Sequence, residues 1–179
     1  MIDIGKLSSN YGVRALDEND ADIILQLCRQ NTLFYEYTEA EPVREQILDD
    51  MMITPPGKDL SDKYYVGFFD DRSLIAVMDL IDGYPEDDIA FIGFFMMDQH
   101  HQGKHIGSAI ITEVVSYLQR IRRTAVRLAI DKGNPQSTHF RKKNGFEIIL
   151  ETDIHGWPKL VAERKIERKS LFFEEEIVI

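Results

Sequence analysis

Residues 89–121 read IAFIGFFMMDQHHQGKHIGSAIITEVVSYLQRI, and this stretch limits the fold more than any other part of the chain. Its first part, Ile89 to Met97, is too continuously apolar for a strand with one wet face; a strand buried on both faces reads this way. Asp98 to Gln102 is a polar turn. Gly103-Lys104-His105-Ile106-Gly107-Ser108 then runs into an amphipathic helix that carries Ile106, Ile110, Val114, Leu118 and Ile121 on one face. A strand, a glycine-bearing turn and a helix N-terminus in succession present backbone N–H groups to a phosphate. Alone, the glycine pair is a weak signal, because two glycines near a helix start more often make a plain turn.

The flanking sequence predicts a mixed α/β sheet in the order β-α-α-β-β-β-α-β-α-β-β, without the regular alternation of a doubly wound fold. Residues 1–10 read as a loose lead-in and 11–16 as a first strand. Asp17 to Asp20 offer cap residues for a helix over 21–31, with Ile24, Leu27 and Cys28 inward. Phe34-Tyr35-Glu36-Tyr37 reads as an aromatic and acidic linker to a second helix over 43–52, stopped by Pro55-Pro56-Gly57. Residues 63–69 and 73–82 read as a hairpin. Gly93, inside the apolar strand, marks a bulge or a close backbone approach. After a strand over 125–130, Asn134-Pro135 starts a helix that Gly145 ends. Two closing strands, 146–151 and 160–164, flank a loop with His155-Gly156-Trp157-Pro158. Residues 167–179 read either as a solvated tail or as a docking segment for another subunit, as in a homodimer; the domain core spans about 11–166 of a single domain over 1–179.

The formal charge of −10 argues against nucleic acid as the main partner and suits a cationic substrate, although an acidic surface also serves solubility. One cysteine, Cys28, excludes an internal disulfide and fits a reducing, cytoplasmic compartment. No window is long and apolar enough to span a bilayer, and the N-terminus lacks the regions of a signal peptide. His100 and His101 are adjacent rather than at ligand spacing, so no metal is expected.

The second half supplies a further block: Asn134-Pro135-Gln136-Ser137-Thr138-His139-Phe140-Arg141-Lys142-Lys143-Asn144-Gly145-Phe146. Together with Gln102 to Ser108, it resembles the GNAT superfamily of acetyl-CoA-dependent N-acetyltransferases. Gln102-x-x-x-x-Gly107 stands where that family carries Gln/Arg-x-x-Gly-x-Gly/Ala. Residues 134–146 stand where it has Asn-x-x-Ala-x-x-Phe-Tyr-x-Lys-x-Gly-Phe. The likeness covers residues 64–146 closely and the remainder loosely. Either block alone is unspecific; their joint spacing is not.

The resemblance implies the GNAT acyltransferase fold, with a central strand splayed from its parallel neighbour and the pantetheine arm of acetyl-CoA in the gap. It implies that Gln102, Gly103, Lys104, His105, Ile106, Gly107 and Ser108 contact the pyrophosphate and that Met97 pairs its backbone with the pantetheine amide. Asn134, Phe140 and Arg141 complete the implied cofactor set. The implied reaction is direct transfer of an acetyl group to a primary amine, with no covalent acyl-enzyme. Two departures stand out. His105 replaces a glycine, and histidine is one of the few residues that tolerates positive φ. Arg141 replaces the tyrosine that protonates the leaving thiolate in many members. It remains open as a thiolate stabiliser, a ligand of the nucleotide 3′-phosphate or a solvated side chain, with Ser137 or water as the nearest replacement acid.

No carboxylate stands within the apolar strand to act as a base. The candidates are Asp79 (on the face of Ile75, Val77 and Ile81), Glu36 and the acidic loop Glu86-Asp87-Asp88, and water relaying the proton to the acidic surface needs no single base. The alternative for Asp79 is a hydrogen-bonded structural carboxylate. Substrate contacts are expected from Tyr35, Glu36, Tyr37 and Trp157. Two other readings are a CoA-binding sensor or partner-dependent subunit without transferase activity, and an interaction protein that binds no cofactor.

Overall fold

The computed structural model describes residues 1–38, 41–154 and 157–167, with Ile154 and Trp157 by backbone alone. His155, Gly156 and the expected tail beyond Glu167 lie outside the described residues. Seven strands form one sheet: β1 (Gly12–Ala15), β2 (Lys63–Asp70), β3 (Ser73–Asp82), β4 (Ile89–Met97), β5 (Ala125–Asp131), β6 (Glu147–Ile154) and β7 (Trp157–Lys165). Their spatial order is β1-β2-β3-β4-β5-β7-β6, and among the described residues only β4 and β5 run parallel. The helices are α1 (Ala21–Arg29), α2 (Thr32–Thr38), α3 (Arg44–Met52), α4 (Ile106–Arg120) and α5 (Pro135–Lys143).

Strand alternation divides the core between the two faces of the sheet. Val66, Phe68, Met78 and Leu80 pack with Ile110, Ile111, Val114 and Leu118 of α4 and with Phe146. Tyr65, Val77 and Met96 point the other way, against Ile24, Leu27 and Cys28 of α1 and Ile47 of α3. Helices on both faces account for the unbroken apolar run of β4.

The splay is local to one residue. β3 opposes Phe94 with Asp79 and Ile92 with Leu80, so Gly93 is the extra residue of a β-bulge. β4 pairs with β5 only over Ile89 to Ile92, against Ala125 to Leu128. Beyond the bulge each strand keeps its outer neighbour, β4 with β3 to Met97 and β5 with β7 to Asp131. A gap opens between them.

Three local expectations are revised. The linker at Phe34 to Tyr37 is helical, as part of α2, because Phe34 and Tyr35 turn inward onto the second core while Glu36 and Tyr37 stay exposed. Trp157 and Pro158 belong to β7, where they oppose Ile154 and Asp153.

The lead-in is anchored rather than loose. Leu7 is fully buried, and the backbone N–H groups of Ile2 and Asp3 donate to the hydroxyls of Tyr64 and Tyr117. On α4, Glu113 accepts from Ser8 Oγ at 2.5 Å, from the Ser9 N–H at 3.0 Å and from Asn10 Nδ2 at 2.9 Å. Burial pushes the Glu113 carboxyl up, but the hydrogen bonds from Ser8, Ser9 and Asn10 outweigh it and hold the group below a glutamate's ordinary range. A folded-state pKa below the unfolded one stabilises the fold above the unfolded value, and this contribution is lost as pH falls through the folded one. Glu113→Gln should therefore lower Tm at neutral pH by about 2–4 °C, for roughly 1 kcal/mol. The gap to wild type should close in acid, below about pH 4. A gap that stays constant across a pH series of melting curves would show that the carboxylate charge does not hold the segment.

Candidate active site

The gap between β4 and β5 is a cleft of about 360 Å³, within the range of small-molecule sites. Phe94 to Met97 form one wall, Leu128 to Asp131 the other, and the start of α4 and one side of α5 close it. The Asp98 N–H donates to the Ile75 carbonyl at 2.8 Å, so Met97, one residue earlier, turns its own N–H and C=O away from β3 and into the gap. The Met97 carbonyl accepts from Asn31 Nδ2 at 3.0 Å and from Gln102 Nε2 at 3.2 Å. Gln102 also donates to Asn31 Oδ1 at 2.5 Å and accepts from Gln136 Nε2 at 2.9 Å. A chain of amides thus crosses the cleft from the end of α1 to the start of α5.

Below this chain lies the turn into α4. Gly103 has φ +71° and His105 has φ +64°, ψ 0°. The left-handed residue brings the chain into the helix with no side-chain cap, so the first-turn N–H groups stand at the positive end of a 15-residue helix. Lys143 Nζ lies 2.7 Å from His105 Nδ1 and joins the end of α5 to the turn. Gly107 is the tight point: a Cβ there would stand 3.3 Å from the Phe140 ring and 3.4 Å from Met97 Cγ. Paired glycine and left-handed residues, an uncapped helix and nearby Lys143 make an anion cradle, and the splayed strands make a slot for an extended chain beside it. These features fit a cosubstrate with a pyrophosphate and a pantetheine arm.

A family model described as the acetyltransferase (GNAT) family matches residues 25–146. The chain belongs to the GNAT acetyltransferase family. A search among curated proteins finds no match. Among solved structures, the fold is shared with an acetyltransferase from Thermus thermophilus, at TM-score 0.69 and 16% identity over 87% of this chain and 97% of that one. PaiA N-acetyltransferase from Thermoplasma acidophilum, in complex with coenzyme A, has TM-score 0.63 and 20% identity over 87% and 98% of the two chains. The ribosomal-protein-S18-alanine N-acetyltransferase from Escherichia coli has TM-score 0.65 and 12% identity over 91% and 99%. The seven-stranded sheet with one parallel pair is thus the GNAT fold expected from the sequence.

Within this GNAT cleft, Met97, Gln102, Gly103, His105, Ile106, Gly107, Ser108, Asn134, Ser137, Phe140 and Arg141 all line the walls. Lys104 does not, and its side chain is exposed. Asn134 is buried and caps α5 by accepting from the N–H groups of Gln136 and Ser137 at 3.0 and 3.1 Å. Phe140 packs on Phe95 with ring centroids 5.6 Å apart. Ser137 Oγ donates to the Asn134 carbonyl at 3.3 Å. Arg141 is buried, not solvated: Nη1 donates to the Phe146 carbonyl at 2.6 Å, and Nε has no partner among the described residues.

On the α1–α3 side, Phe34 lines the cleft and meets Phe94 edge-on at 6.0 Å. Tyr35 turns into the core, where burial and a hydrogen bond with Cys28 push its phenol far up. Glu36 and Tyr37 are exposed, and the Tyr37 ring approaches Gly133 in the β5–α5 turn. Trp157 opens β7 across from Ile154. Burial pushes the Cys28 thiol up as well, which suits packing and not nucleophilic attack. Sequence reasoning missed Asn31, whose position at a helix end gives no local hint that its amide reaches a carbonyl 66 residues away. It also missed Asp131 and Lys159, an ion pair on the cleft wall.

Proposed function

We propose that this protein transfers the acetyl group of acetyl-CoA to a primary amine, directly and in a ternary complex. The observation that carries the reading is the junction of two features at one place: the Gly93 splay and the uncapped start of α4. The first supports a slot for pantetheine along β4, ending at Met97. The second supports pyrophosphate on the N–H groups of 103–108, with Gln102 and Lys143 beside it. The acetyl-CoA thioester supplies the activated acyl group. Direct transfer is supported by the lack of an activated nucleophile among the described cleft residues: Ser137 donates to a backbone carbonyl, and Cys28 of α1 is buried outside the cleft lining. Phe34 and Phe94, with exposed Tyr37 and Glu36 above them, would receive the acceptor's body and its cation. The negative surface charge favours a cationic acceptor in the cytoplasm.

The test is the shift in Tm on adding acetyl-CoA, with ADP and free pantetheine as controls. Ligand at about a hundred times Kd should add roughly 2.7 kcal/mol, or about 5–10 °C for a domain of this size. Thiol release with spermidine and with an alanine-first peptide follows. No Tm shift would overturn the cofactor site. A shift without thiol release from a wider amine panel would favour the second reading, a CoA-binding sensor. That reading draws on Arg141, whose guanidinium is held by Phe146 where many relatives place an acid.

A further inference from the structure

Asp79 lies on β3 opposite Phe94, beside the bulge. Its carboxylate fills the space that a side chain at position 93 would take: a Cβ on Gly93 would stand 2.9 Å from Asp79 Oδ2. Gly93 itself lines the cleft, at the point where β4 leaves β5. The thickness of one glycine therefore separates this carboxylate from the origin of the slot. Oδ2 accepts from Lys63 Nζ at 2.6 Å, whereas Oδ1 is buried with no hydrogen-bond partner among the described residues. A buried carboxylate oxygen without a donor is costly, and a catalytic role is one explanation for keeping it.

We infer that Asp79 is the general base of the acetyl transfer, receiving the acceptor's proton at Oδ2, the oxygen that faces the side of Gly93 that carries no side chain. This rests on the acetyltransferase reading above. The acceptor enters as an ammonium, which has no lone pair. It gives one proton to Asp79, and the freed amine attacks the thioester carbonyl. The C–N bond forms, the C–S bond breaks, and the electron pair leaves on the thiolate. The nitrogen's second surplus proton passes to that thiolate, giving an amide, free CoA thiol and a protonated Asp79 that returns its proton to solvent.

The surroundings suit the role. Lys63 and Tyr65 of β2 and Asp50 of α3 face the carboxylate. Burial pushes Asp79 above an aspartate's ordinary range, against the opposing Lys63 hydrogen bond and charge, and Asp50 pushes it further. A raised pKa is the direction in which a general base gains strength. Lys63, itself buried, opposes that rise through its hydrogen bond and charge.

The experiment is the pH profile of kcat/KM for thiol release, with spermidine and the alanine-first peptide as probe amines. Asp79→Asn should lower kcat/KM about a hundredfold or more at neutral pH and erase the acidic limb, while the acetyl-CoA Tm shift stays as in wild type. The deficit should shrink as pH rises, because free amine then accumulates unaided. Lys63→Met removes the cation that holds the proton off, so its acidic limb should move about one unit or more to higher pH. Turnover of Asp79→Asn within about threefold of wild type overturns the assignment. So does an acidic limb that stays in place in Lys63→Met, and this second result decides the matter if Asp79→Asn fails to fold. Wild type that releases no thiol with any amine fails at the earlier step: the transferase reading falls before any variant is made, and this assignment with it.

Discussion

Replacing Gly107 with valine should abolish the acetyl-CoA-dependent rise in Tm while leaving the unliganded protein folded. Gly107 stands in the first turn of α4, between the end of β4 and the flank of α5. Its missing side chain leaves a space bounded by the Phe140 ring at 3.3 Å and by Met97 Cγ and Sδ at 3.4 and 3.5 Å. Alanine would require these neighbours to give by a few tenths of an ångström. Valine adds two methyl groups between Met97 and Phe140, where Phe140 is already held against Phe95. Overpacking of this kind costs about 1–3 kcal/mol, and helix propensity returns a few tenths on leaving glycine. The fold should therefore lose only a few degrees. The slot loses the room for a pantetheine chain, and affinity should fall at least about a hundredfold, which is roughly 3 kcal/mol. Gly103→Ala is the contrast. No atom lies within 4 Å of its Cβ position, but its φ of +71° strains any side chain, so its cost of about 1 kcal/mol falls on the fold first. If Gly107→Val kept the full acetyl-CoA shift, the cofactor would not pass this point.

What could be read from the sequence was local. The run Ile89 to Met97 and the helix behind it declare themselves by composition and period, and Asn134-Pro135 declares a cap, which the structure shows as two hydrogen bonds to the N–H groups of α5. The positive φ of His105 was likewise within reach, because the turn needs a left-handed residue wherever a glycine is replaced. What stayed hidden depends on register and on long-range partners. The bulge at Gly93 exists only relative to β3, since it is the shift between Asp79 and Leu80 that leaves Gly93 without an opposite residue. Asp79 could be placed on an apolar face, but not beside Lys63, because that contact requires β2 and β3 to pair in one register. Nothing local marks Glu113, because its partners Ser8, Ser9 and Asn10 lie 105, 104 and 103 residues away.

Arg141 is the sharpest case. A basic residue in the last turn of a polar helix reads as solvated, and at this place in the family pattern it reads as a ligand of the cofactor. The structure holds it from both ends: its backbone carbonyl accepts from the Phe146 N–H at 3.1 Å, and its guanidinium donates to the Phe146 carbonyl at 2.6 Å. Phe146 is fully buried in the main core, so Arg141 fixes the turn by which α5 delivers the chain to β6. Arg141→Met keeps most of the volume but removes the donor, leaving a buried carbonyl unpaired and a charge-assisted hydrogen bond unmade, together about 2–3 kcal/mol. For a domain of this size the unliganded Tm should drop by about 5–10 °C. Arg141→Lys keeps the charge without the planar fork and should fall between the two. The acetyl-CoA shift, measured on each variant below its own Tm, should persist in both. A residue that served the cofactor alone would give the opposite pattern, an unchanged unliganded Tm with the shift reduced, and that outcome would move Arg141 from the turn to the ligand.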